Sequence, residues 1–294
     1  MENVKTTSSK VLQHLETLAT EKGESLDALL GLYVQERLLY RLSVSPYQER
    51  FLLKDDVLLF ALTNGAVKTS REMALAAKQM PKDMTIIKQA IIEICSIHSH
   101  EDGIHFLEDK FEFTWENEEI QVNMPVTLAQ TKTYIEVSIS FGDSLPLTPK
   151  IMAFPSLLDM PSPMILVYPT AFMIAEKFEK MTSLPASDCR MKDFYDIYML
   201  STTQKIEGRV LQEAIAETFD NHRTTLEKDH PVFSKHFYLD TQRNKAWLAF
   251  IGQQPLKFEE VMKRIQTLLW PIYNEMVKED EFFKNWDNTP QHWT

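Results

Sequence analysis

Apolar positions along this 294-residue chain change their spacing twice, and the changes mark its organisation. Between Leu12 and Leu42 they recur at helical intervals, as in Leu29, Leu30, Val34, Leu38 and Leu39, which predicts helices packed on a first domain. The run FLLKDDVLLFAL at 51–62 is split by Lys54, Asp55 and Asp56. It predicts a short strand, a turn, and a helix beginning after the aspartates. MTIIKQAIIEICSI at 84–97 predicts an amphipathic helix. The period then shortens. IHFLEDKFEF (104–113), EIQVNMPVTLA (119–129), YIEVSISF (134–141) and KIMAFPSLL (150–158) are rich in β-branched and aromatic residues, and the middle two alternate, so each predicts a strand. Beyond Tyr168 the helical period returns, predicting helices over 171–181, 191–201, 208–222, 241–251 and 258–277. Pro155, Pro161, Pro163 and Pro169 crowd the junction. The predicted class is α+β. A helical segment at 1–42 packs on a mixed-sheet domain at 43–163, and a helical domain follows at 164–294.

Composition narrows the function classes. Hydrophobic residues are 44% and charged residues 25%, the balance of a chain with a substantial core. No stretch approaches ~18 consecutive apolar residues, so no membrane span is expected. No secretory signal is readable at the start, and two cysteines, Cys95 and Cys189, are too few for a disulfide framework. A reducing, cytoplasmic setting is the expectation. Seven glycines argue against glycine-rich phosphate cradles. Forty-two acidic against thirty-one basic residues leave −11, which excludes non-specific electrostatic binding of nucleic acid but leaves room for a local basic groove.

Candidate chemistry is sparse. Cys95, His98, His100 and His105 match no usual zinc spacing, and Glu101-Asp102 beside them reads as a solvated turn. Lys177 with Arg190, Lys192, Asp193 and Asp196 reads, on residues alone, as a salt-bridged junction between two helices. No nucleophile with a base in reach is readable.

Two passages add a resemblance. Ala175-Glu176-Lys177 is followed by Arg190-Met191-Lys192-Asp193-Phe194-Tyr195-Asp196, and later come VLQEAIAETFDNHRTTL (210–226) and Trp247-Leu248-Ala249-Phe250. Together these resemble the AbiEii/AbiGii toxin family, nucleotidyltransferase-fold proteins of abortive-infection and type IV toxin–antitoxin systems. The resemblance implies a nucleotidyltransferase domain and a helical carboxy-terminal domain. It also implies Mg²⁺-dependent transfer of a nucleotide from a nucleoside triphosphate, in some members to a tRNA acceptor end, and a protein antitoxin as partner. Lys177 and Asp193 would be the catalytic pair, side by side across two helices. Lys54, Ser70, Arg71, Arg190 and Lys192 would face the nucleotide.

The metal positions depart from the family pattern. Where the family reads Lys-Gly-Gly, this chain has Lys54-Asp55-Asp56. Where it expects Thr-Arg-Asp-x-Asp, Ser70-Arg71-Glu72-Met73-Ala74 keeps one carboxylate, lengthened to glutamate, and the third carboxylate position is Ser138. A serine hydroxyl is a poor Mg²⁺ ligand beside a carboxylate, and alanine is none. The favoured reading is a degenerate relative that binds nucleotide, RNA or a partner with weak or no transfer. The alternative is an active enzyme with rebuilt ligation through Glu72, Asp55, Asp56 or Asp143. On the first reading, Glu72 lies on a strand whose neighbour carries Ser138, both facing one cleft.

Overall fold

The computed structural model describes residues 2–99, 101–142, 149–183 and 190–294. His100, Asp143 and Cys189 lie outside them. The chain divides into two compact units, the first running through Tyr168 and the second from Pro169.

The first unit opens with helices α1 (Glu2–Lys22) and α2 (Leu26–Ser43). Ser25 caps α2 by accepting from the Ala28 N–H, the usual role of serine at that position. Buried residues lie all round α2, so it needs polar as well as apolar neighbours. Arg41 meets Asp102 at 2.7 Å, and the Glu36 carboxylate takes Arg37, the Ser156 hydroxyl at 2.8 Å and the Leu157 N–H at 2.9 Å. The expected solvated turn is therefore corrected: Asp102 is fully buried, because the Arg41 guanidinium travels inward with the helix. Gly103 beside it has φ +65°, and an added Cβ would stand 2.7 Å from Ser8 Cα of α1.

Next come β1 (Phe51–Lys54), α3 (Asp55–Leu62), β2 (Glu72–Ala77) and α4 (Met84–Cys95). Helix α3 starts at Asp55 and not after the aspartates, which occupy its first turn where the helix dipole favours negative charge. β3 (Ile104–Phe106) and β4 (Glu112–Glu116) replace the single strand predicted at 104–113, because a 3₁₀ turn at Glu108–Lys110 interrupts it. β5 (Glu119–Leu128), β6 (Thr131–Phe141), β7 (Lys150–Ala153) and β8 (Met164–Val167) complete the sheet. Its order is β3-β5-β6-β2-β1-β8-β7, with β4 also on the β5 edge. β8 pairs with β1 and β7, so residues 164–168 belong to the sheet and not to the helical unit. Period-two alternation sets the faces. Leu53, Leu75, Ile139 and Ile120 stand in one row across four strands, and Met73, Val137 and Val122 in the next, all buried.

The second unit contains α5 (Thr170–Ser183), α6 (Met191–Thr203), β9 (Ile206–Glu207), α7 (Gly208–His222), α8 (Lys235–Leu239), α9 (Thr241–Ile251), α10 (Phe258–Val277), β10 (Asn285–Asp287) and β11 (His292–Trp293). Phe178 of α5 anchors its core, with Phe219, Phe233 and Tyr273 rings 5.6–5.8 Å away. The unit is not wholly helical: β11, β10 and β9 form a small sheet the sequence pattern did not show. Its close approach needs Gly208, where an added Cβ would lie 2.4 Å from the Lys284 carbonyl oxygen.

Candidate functional site

The opposite face of the sheet carries the polar set. Strand alternation puts Lys54, Ala74 and Ser138 in one row, because Lys54 pairs with Ala74 and Ala74 with Ser138; Gln121 extends it on β5. One step along, Glu72 stands opposite Glu136, and Glu136 opposite Asn123. Glu72 and Ser138 thus share one face of adjacent parallel strands, with Ser138 opposite Ala74 and Glu136 opposite Glu72. Both glutamates are exposed, while Ala74 and Ser138 are half-buried. Asn123 Oδ1 is buried and, among the described residues, has no hydrogen-bond partner.

The junction of β1 and α3 supplies Lys54, the last residue of the strand, and Asp55 and Asp56, in the first turn of the helix. Lys54 lies 5.3 Å from the Tyr168 ring centroid and 4.0 Å from Asp55. Asp55 adopts φ +54°, the left-handed region that non-glycine residues rarely enter, aspartate being among the more tolerant. Ser70 is used locally. Its hydroxyl accepts from the Glu72 N–H at 3.1 Å, and its carbonyl accepts from Gln35 Nε2 at 2.9 Å. Arg71 is held on three sides: it pairs with Asp27, donates to the Thr133 hydroxyl and to the Tyr134 carbonyl (2.9 Å), and lies over the Tyr134 ring. An arginine so engaged reads as a clamp between α2 and the sheet.

The second cluster lies within the helical unit. Lys177 of α5 is buried and faces α6, where it meets Asp196 Oδ2 at 2.8 Å and Asp193 Oδ1 at 3.6 Å. The shorter contact is to Asp196, which is fully buried and also takes Lys192 at 2.7 Å. Burial raises the Asp193 carboxyl above its usual range, and this outweighs the lowering by Lys177. Arg190 is exposed at the start of α6, its carbonyl accepting from the Asp193 N–H.

Sequence reasoning missed Glu136, Asn123 and the weight on Asp196. The first two stand in the alternating segments of β5 and β6, so their face was readable; their partner across the sheet was not. Burial raises the Cys95 thiol far above its usual range, and His98 Nδ1 sits 2.7 Å from the Ser96 carbonyl. Among the described residues no three histidine, cysteine, aspartate or glutamate side chains converge as a metal would require, Asp55 and Asp56 included.

A mixed sheet with one polar face, followed by a helical unit, defines a nucleotidyltransferase-like α+β protein. The sequence matches the family model for the nucleotidyl transferase AbiEii toxin of type IV toxin–antitoxin systems over residues 37–269, well over half its length. The chain belongs to this family of AbiEii nucleotidyltransferase toxins. Two solved structures from Helicobacter pylori are similar in chain path. JHP933 is 10% identical, with 87% of this chain and 95% of that one covered and a TM-score of 0.48. A candidate nucleotidyltransferase is 11% identical, with 88% and 100% covered and a TM-score of 0.44. No curated protein matches the chain. Among the described residues no helix is long and apolar enough to cross a membrane.

Proposed function

We propose that this chain is a degenerate nucleotidyltransferase of the toxin family, acting in the cytoplasm, that binds a nucleoside triphosphate, RNA or a protein antitoxin with weak or no nucleotide transfer. The observation that carries the reading is the register of β1, β2 and β6. It puts Lys54, Ala74 and Ser138 in one row of the polar face, and the resemblance expects metal carboxylates at the last two.

Mg²⁺ would supply charge compensation to the phosphates. The residues present do not fit that role as the family pattern has it, since Ala74 offers no ligand atom and Ser138 only a neutral oxygen. Lys54 keeps a cation at the row's end, suited to a phosphate oxygen. Asp55 and Asp56 beside it repel the same group at short range. In the helical unit, Lys177 and Lys192, with the exposed Arg190, are the proposed cationic groups, and Asp193 and Asp196 orient them. One observation favours the second reading: Glu136 opposite Glu72 is a carboxylate pair from which ligation could have been rebuilt.

The test is transfer of each labelled nucleotide to a bulk tRNA pool by the purified protein with Mg²⁺. Little or none is expected, since lost charge compensation costs several kcal/mol and each ~1.4 kcal/mol is tenfold in rate. The combined variant Glu72→Asp, Ala74→Asp, Ser138→Asp is expected to gain Mg²⁺ binding, read by calorimetry. Robust transfer by the unmodified protein, abolished by Glu72→Ala or Glu136→Gln, would establish rebuilt ligation instead.

A further inference from the structure

A groove of about 850 Å³ lies in the helical unit, away from the Lys177 cluster in sequence and built by different elements. A proline lies in its wall. Pro271 interrupts α10 and has no N–H, so the Thr267 carbonyl four residues earlier loses its usual donor. Trp293 of β11 fills that place, with its indole Nε1–H 3.2 Å from the Thr267 oxygen and 3.1 Å from the Leu268 oxygen. The indole is thereby fixed as one lining ring. Phe282 meets it edge-on at 4.9 Å. Trp270, next to the proline, is 37% exposed and packs on Phe233 at 5.0 Å. Each of these four rings is held by another ring or a hydrogen bond before any ligand arrives, which lowers the ordering cost of binding.

Two further features define the occupant. The apolar lining is those aromatic rings and Pro271, with no Leu, Ile, Val or Met, in a chain that has fourteen methionines. An amphipathic helix of a protein partner is better served by aliphatic side chains and methionine. Flat aromatic walls suit flat ligands. The charged lining residues are Lys263, Lys284 and Asp229, a net positive set on a chain of −11. Lys284 is exposed, and Lys263 is 62% exposed although it pairs with Glu259 at 2.8 Å.

We propose that this groove binds single-stranded nucleic acid, with bases stacking on the indoles of Trp270 and Trp293 and phosphates meeting Lys263 and Lys284. Base stacking on aromatic side chains beside cations is the general chemistry of such sites. A duplex hides its base faces and is a poor fit. The inference stands on the groove and does not rest on the reading of the sheet face.

The experiment is fluorescence anisotropy of a labelled single-stranded oligoribonucleotide of mixed sequence titrated with the full chain, beside a duplex of equal length. The single strand is expected to bind at least ~10-fold more tightly than the duplex, and Trp270→Ala to weaken it by ~5- to 100-fold. Lys284→Glu, an exposed change that spares the core, is expected to weaken binding and flatten its dependence on salt. Lys110→Ala, an exposed change in the first unit at a residue with no part in either proposed site, is expected to leave it unchanged. Absence of single-strand binding, equal binding of duplex, or indifference to both Trp270→Ala and Lys284→Glu would overturn the proposal. So would loss in Lys54→Ala alone, which would put the nucleic acid on the sheet unit. If Trp270→Ala removed only a bound protein, the groove would be a protein interface and the proposal would fail.

Discussion

Lys177 shows how a motif residue and its partner separate once distances are known. The resemblance pairs it with Asp193, yet Asp196 Oδ2 is nearer, 2.8 Å against 3.6 Å, and carries Lys192 as well. Asp196 Oδ1 is buried and, among the described residues, accepts no hydrogen bond, so all of that carboxylate's compensation comes through one oxygen. Removing its charge takes from the buried Lys177 the shorter of its ion pairs to α6 and leaves the longer one to Asp193. Asp196→Asn is therefore expected to destabilise the fold by ~3 kcal/mol or more, the scale for breaking a buried pair from one side. Asp193→Asn is expected to cost under ~1 kcal/mol, because burial already penalises that carboxylate's charge. Urea denaturation followed by circular dichroism checks both, and equal losses would show that the two carboxylates share the lysine evenly. Sequence spacing carried the cluster's membership but not its geometry. Positions 193 and 196 are three apart on one helix face, so both reach Lys177 and only coordinates rank them.

Elements were legible where one periodicity ran unbroken. Gly208–His222, Thr241–Ile251 and Phe258–Val277 have the bounds their apolar spacing predicts. Strand β5 is nearly as clear, because it alternates over its whole length. What escaped are short pieces with too few residues to show a period: β8 at Met164–Val167, and β9 to β11. Their identity is set by pairing across the fold, which a local pattern does not carry. The Pro271 gap in α10 belongs to this scale too. Trp293→Phe keeps the ring but removes the donor to the Thr267 and Leu268 carbonyls. The expected loss is ~1 kcal/mol, the usual net worth of such a bond, measured as a lower midpoint in thermal or chemical unfolding. An unchanged midpoint would mean that water serves those carbonyls equally well.

For the molecule as a whole, acid is the informative stress. Glu179 of α5 is buried, yet its carboxyl is held below the usual 4.5: burial pushes it up, and hydrogen bonds from Thr224, His222 and Ser183 outweigh that. A depressed folded value contributes stability above the ordinary value, and the contribution is lost as pH falls through the folded one. Stability is thus expected to fall below about pH 4.5 more steeply in the unmodified protein than in Glu179→Gln. Thermal unfolding across pH 3–6 checks it, and parallel slopes would sink the assignment. The bipartite plan was legible from the change of period and the proline cluster. The polar sheet face was legible only in part. Glu72 and Ser138 were placed through resemblance to a family motif, whereas Glu136 entered through strand register alone.

The left-handed backbone at Asp55 has a consequence for substitution. Asp55 has φ +54°, a conformation that glycine adopts without the steric cost of a Cβ. An aspartate codon becomes a glycine codon by a single-base change, and the chain path that glycine would use is already in place. Asp55→Gly is therefore a change that the backbone already accommodates at this position.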